Sequence, residues 1–249
     1  MGGGSERRNT AGRLDHGGSW RTAADWPLPQ TRWTKFYLHS DRRLGRETPH
    51  DGAQPLDYTS DPRNPVPTIG GALSSGEPVM RGGAYDQRRL AERADVLAFA
   101  TPPLERDLEV TGPVRVQLWI TSDGPDTDFT AKLIDVHPPN EDYPNGFAMN
   151  LTEGILRCRY RDSWERPSPM VPGEVYAITN ELFPTGNLFS RGHRLRLDIA
   201  SSNFPHFDIN PNSGEPEGAM EHPRIAHNRV FVDAARPSHI VLPVIPPDA

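Results

Sequence analysis

The stretch RLRLDIA, Arg194–Ala200, decides the fold. Leu195, Leu197 and Ile199 alternate with Arg194, Arg196 and Asp198. That period of two belongs to a strand with one apolar face against a core and one polar face in water. The same period runs through VRVQLWI, residues 114–120, where Val114, Val116, Leu118 and Ile120 share a side. ILRCRYR, residues 155–161, sets Leu156, Cys158 and Tyr160 against Arg157, Arg159 and Arg161. TKFYLHS, FTAKLIDV, EVYAIT, NRVFVD and SHIVLPV read as further short strands. Clusters such as SDGPDTD, HPPNEDYPNG and PNSGEPEG stand between several of them as turns. Many short strands separated by Gly/Pro turns predict an all-β sandwich or barrel.

Helical periodicity is poor. Residues 84–99, AYDQRRLAERADVLAF, offer the best helix, or else an extended arm that ends in an edge strand. The first ~80 residues differ in composition from the rest, rich in Gly, Pro, Arg and Asp. Trp20, Trp26, Trp33, Phe36, Tyr37 and Tyr58 are dotted through them as anchors for an irregular arm.

Composition narrows the class. The chain has 249 residues, 27 of them proline and 22 glycine, which fits one large all-β domain or one domain with an appended piece. Net charge is -6, and the arginines are spread along the chain, which predicts no nucleic-acid partner. Cys158 is the single cysteine, so no intramolecular disulfide forms, and it reads as a small buried apolar side chain. No apolar run approaches the ~20 residues of a membrane helix. MGGGSERRNT lacks the apolar segment of a signal peptide, and the expected location is the cytoplasm.

No serine sits in the G-x-S-x-G turn between a strand and a helix that presents a hydrolase nucleophile. Neither an H-E-x-x-H nor a Cys/His cluster occurs, so no metal and no cofactor are expected. SSNFPHFDINPNSGEP, residues 201–216, gathers Ser201, Asn203, Phe204, His206 and Asp208. Asp208, Asn210 and Asn212 are hard oxygen donors, but too few are acidic for a calcium loop. The stretch reads as a strand end and a loop ordered by its own Asn, Asp and Ser side chains, with Phe204 and Phe207 buried against the sandwich. Asp15, His16 and Ser19 are too close in sequence to converge as a triad.

Several stretches taken together resemble one family: MGGGSERRNTAGRLDHGGSWR, DWPLPQTRWTKFYLH, DYTSDPRNPVPTIGG, LEVTGPVRVQLWITSDGPDTDFTAKLIDV, GILRCRYRDSW, GHRLRLDIASSNFPHFDINPNSGEP and RPSHIVLPVIP. Their order and spacing are similar to the C-terminal jelly-roll domain of the CocE/NonD and X-Pro dipeptidyl-peptidase serine hydrolases. That resemblance implies an all-β, galactose-binding-like jelly roll over residues 32–249, and an arm over residues 1–31 that packs on an α/β-hydrolase catalytic domain. It implies that the family's catalytic triad lies upstream of the matched region, so this chain alone is expected to be inactive, with no catalytic residue of its own. Met1 then reads as an internal methionine of a longer ancestor. By the same resemblance His16, Trp20 and Trp26 belong to the domain interface. Leu73, Ser74 and Ser75, in ALSSGEPVMRGG, border the substrate pocket of that partner domain. The expected function is a non-catalytic module that supports an ester- or amide-cleaving hydrolase, with homo-oligomerisation as a further role. The alternative is a stand-alone carbohydrate- or ligand-binding jelly roll, for which Trp119 is the candidate platform.

Overall fold

The computed structural model describes residues 2–3, 10, 18, 20–73 and 80–247. Among these, thirteen strands run in chain order. The first six are β1 (Gly2–Gly3), β2 (Arg32–Leu38), β3 (Leu44–Gly45), β4 (Leu56–Ser60), β5 (Leu97–Ala100) and β6 (Leu108–Ser122). Then come β7 (Asp128–His137), β8 (Phe147–Arg157), β9 (Tyr176–Phe189) and β10 (Arg194–Ala200). The last three are β11 (Ala226–Asp233), β12 (Arg236–Pro237) and β13 (His239–Ile245). They form two sheets, in which only the β1–β9 pairing is parallel.

The larger sheet is built around β6, which pairs with β9, β13 and β11, while β2 adds beyond β13 and β4 beyond β11. The smaller sheet has the order β5-β10-β7-β8. β6 bends where its register with β9 slips between Gly112 and Val114. Gly112 has φ +145, and a Cβ there would stand 2.8 Å from Pro243, so neither the backbone nor the space admits a side chain.

The sheets face each other across a core that follows directly from alternation. Val110, Val114, Val116, Leu118 and Ile120 of β6 meet Phe129, Ala131 and Leu133 of β7 and Leu195, Leu197 and Ile199 of β10. Each fully buried Leu or Ile here contributes roughly 1.5–3 kcal/mol. Tyr58 meets Phe129 edge-on at 6.3 Å.

The polar face of β10 departs from the sequence expectation. Arg196 and Asp198 are buried, because Val66, Gln87, Leu90 and Val96 lie over the outer side of the smaller sheet. Their charges survive burial as a two-pronged ion pair of 2.7 and 2.6 Å. Residues 84–99 form no long helix: a single 3-10 turn at Arg88–Glu92 leads into the edge strand β5. The run ILRCRYR is a strand only as far as Arg157, after which Cys158–Tyr160 turn as a 3-10 segment. Cys158 is nonetheless fully buried, as its small apolar side chain suggested. Among the described residues no helix is long and apolar enough to cross a membrane.

Candidate functional site

Ser201 ends β10 with its side chain inside the protein. Its Oγ lies 2.8 Å from the Tyr58 hydroxyl and accepts a hydrogen bond of 2.9 Å from Asn228 Nδ2. Neither partner is a base: an amide cannot take a proton, and burial raises the Tyr58 phenol well above its ordinary range. The hydroxyl is thus a structural link between β4, β10 and β11.

The loop after it is held by the segment it covers. Ser202 Oγ accepts from the Val66 amide at 2.8 Å. Phe204 N–H donates to Val66 at 2.9 Å, and Thr68 N–H donates to Phe204 at 2.7 Å. Phe204 itself is 42% exposed, contrary to its expected burial, because its backbone rather than its ring makes this clasp. Phe207 is half-buried and stacks on His206 at 4.2 Å. Asp208 is exposed. Asn210 directs its amide at Asp126 and Asp128, at 2.8 and 2.7 Å, so it serves a buried ion-pair cluster. Asn212 donates to the backbone oxygens of Ser60 and Arg224.

Glu153 is the centre of this region, though no local pattern of residues singles it out. It points outward from β8, across the sheet from Lys132 of β7. Both are buried, with Lys132 Nζ 3.4 Å from the carboxylate. Asn203 Nδ2 donates to Glu153 Oε2 at 3.0 Å, and His206 Nδ1 lies 2.9 Å from Oε1. Lys132 also donates to Gln87 Oε1 at 3.1 Å, and Gln87 Nε2 donates to the Ile69 carbonyl at 2.7 Å. One buried carboxylate therefore ties the 203–206 loop to the segment that carries Leu73.

That segment turns back on itself. Gly71 and Gly83 exchange backbone hydrogen bonds of 2.9 and 2.8 Å, closing the base of the intervening loop. Gly71 has φ +113, and a Cβ there would stand 2.2 Å from Glu153 Oε1, so glycine is required on both counts. Leu73 is half-buried at the start of this loop; Ser74 and Ser75 lie outside the described residues. Between Val66, Leu90 and Val96 and the sheet lies a cavity of about 20 Å³, room for roughly one water, bounded on its polar side by Lys132, Glu153, Asp198 and Asn203.

Of the residues assigned to a domain interface, His16 lies outside the described residues. Trp20 is fully exposed and Trp26 half so, on an irregular segment that Arg21 ties to Glu109 of β6 at 3.2 Å. Trp119 is half-buried on the outer side of β6, with its backbone N–H donating to Ser238.

The geometry offers a buried polar network around Glu153, and Ser201 has no base among its hydrogen-bond partners. The family described as the X-Pro dipeptidyl-peptidase C-terminal non-catalytic domain matches residues 5–241. The chain belongs to this family. It is 39% identical to the cocaine esterase of Rhodococcus sp. (strain MB1 Bresler) over 238 residues, which is 91% of this chain and 40% of that protein. Its fold superposes on an aminopeptidase from a marine sediment Thaumarchaeota archaeon with a TM-score of 0.82 and 30% identity, covering 96% of this chain and 40% of the other. An α-amino acid ester hydrolase gives a TM-score of 0.79 at 30% identity, with 94% and 39% covered. The chain thus spans about two-fifths of the length of these relatives.

Proposed function

We propose that this β-sandwich works beside an α/β-hydrolase catalytic domain of a serine hydrolase cleaving esters or amides. In this reading it buttresses that domain and lends a wall to its substrate pocket. The observation that carries the reading is the Gly71–Gly83 loop, clasped at its base and underpinned by the Glu153 network. Such a clasp fixes the two ends of a connecting loop on a rigid sheet, the arrangement that places specificity residues next to chemistry done elsewhere. Leu73, Ser74 and Ser75 then face the acyl or side-chain pocket. Residues 1–31, with His16, Trp20 and Trp26, dock on the partner domain, and residues 32–249 form the sandwich, wound as a jelly roll.

Reconstitution tests this. The chain is mixed with a separately expressed hydrolase domain of a relative, and p-nitrophenyl ester hydrolysis is followed. The expected result is a complex whose activity exceeds that of the hydrolase domain alone. Absence of both association and a rate change would contradict the proposal.

A further inference from the structure

A second cluster lies at the other end of the sandwich, away from the Glu153 network. Asp135 and His137 are two apart on β7, so their side chains share a face. β10 pairs antiparallel with β7, with Arg194 opposite Val136. That register sets His193, the residue before β10, across from His137, and their rings lie 4.2 Å apart. His193 Nδ1 stands 2.8 Å from Asp135 Oδ1, and His137 Nε2 stands 3.6 Å from Asp135 Oδ2. One ligand atom from each of the three residues falls within 4.8 Å of the others.

We propose that Asp135, His137 and His193 form a zinc site with a water as fourth ligand. Zinc–nitrogen and zinc–oxygen bonds of about 2.0–2.1 Å put tetrahedral ligands about 3.3 Å apart. The two imidazoles reach opposite oxygens of Asp135, at 2.8 and 3.6 Å, and all three ligand atoms lie within 4.8 Å of one another, so the side chains need only adjust in place to close around an ion. Two imidazoles and one carboxylate suit zinc over calcium or magnesium, which take oxygen.

Charge supports the assignment. Asp126, Asp128, Asp198 and Glu153 are buried carboxylates, each beside an arginine or lysine. Asp135 is as deeply buried, yet the partners recorded for it are the two histidines and Asn187. A buried carboxylate needs a counter-charge, and a divalent cation supplies it. Asn187 Nδ2, from β9 in the facing sheet, donates to Asp135 Oδ2 at 3.1 Å and orients the ligand from behind. Phe147 sets its ring at 67° to that of His137 at 6.0 Å, giving the site an apolar wall. The ligands come from adjacent strands and a tight turn, which holds them firmly.

The test uses the purified chain with zinc alone, and with cobalt as a spectroscopic substitute. After treatment with chelator and dialysis against micromolar zinc, the expected content is one zinc per chain, with a raised melting temperature. Cobalt is expected to give the intense visible bands of tetrahedral coordination. His193→Gln and His137→Gln should each weaken binding about 10-fold or more. His222→Ala, in the exposed Glu215–Glu221–His222 cluster, should leave it unchanged. Two results would overturn the proposal: absence of both stoichiometric zinc and the cobalt bands in the unaltered chain, or uptake that persists in His193→Gln. The unaltered chain decides the question even if a variant fails to fold.

Discussion

At the scale of single residues, the chain buries charge in pairs, and the most consequential pair is Asp128 with Arg157. The guanidinium grips the carboxylate at 3.0 and 3.1 Å, and Asn210 adds a bond at 2.7 Å. Burial still prevails and pushes the carboxyl from 3.8 up to about 6. Arg157 is raised as well: burial works against its charge, but the hydrogen bonds and charge of the same carboxylate outweigh that and hold it more firmly protonated. Arginine is charged throughout the accessible range, so the pair titrates at Asp128. The sign follows from linkage: between about 4 and 6 the folded chain binds a proton that the unfolded chain has released. Asp128 therefore contributes stability that declines as pH rises through that window. Carbon-detected titration of the Asp128 carboxyl should give a midpoint near 6. In Asp128→Asn that titration vanishes, and the decline in stability between pH 4 and 6 is correspondingly smaller in urea melts. A midpoint near 4 would show that Arg157 outweighs burial.

At the scale of elements, strands that bury one face were plain in the sequence. Leu195, Leu197 and Ile199 point to the core as their alternation required. Alternation could not reveal what covers the opposite face, so Arg196 and Asp198 read as wet while Val66, Gln87, Leu90 and Val96 in fact lie over them. The clasp on the 203–206 loop was half legible. Asn203 and His206 stood out as side chains able to order a loop, but Glu153, fifty or more residues away, carried no local signal. Phe204 failed as an anchor because the clasp uses its backbone. Asp135 and His137 form a D-x-H pair whose meaning depends on the register that brings in His193. Glu153→Gln tests the clasp. It leaves Lys132 buried without its counter-charge and gives Asn203 and His206 one acceptor oxygen in place of two, at an expected cost of about 3 kcal/mol in urea unfolding. Hydrogen exchange should quicken first at the amides of Phe204 and Thr68. A stability change under about 0.5 kcal/mol would mean the loop is held by its backbone alone.

At the scale of the whole molecule, two β sheets enclose one apolar core, and the ionisable groups gather in three buried clusters around it. None places a nucleophile beside a base. Cys158 is sealed in the core, where burial and the Asp126 and Asp128 carboxylates push its thiol well above the ordinary range. Ser201 is locked between Tyr58 and Asn228. Trp20 and Trp26 expose their indoles, and the proposed function gives them a neighbouring domain to contact. The most direct measurement is reaction of the purified chain with a fluorophosphonate probe alongside its turnover of a p-nitrophenyl ester. The expected result is no labelled serine, and hydrolysis no faster than that of the Ser201→Ala chain. A labelled serine, with turnover that disappears when that serine is replaced, would contradict the account.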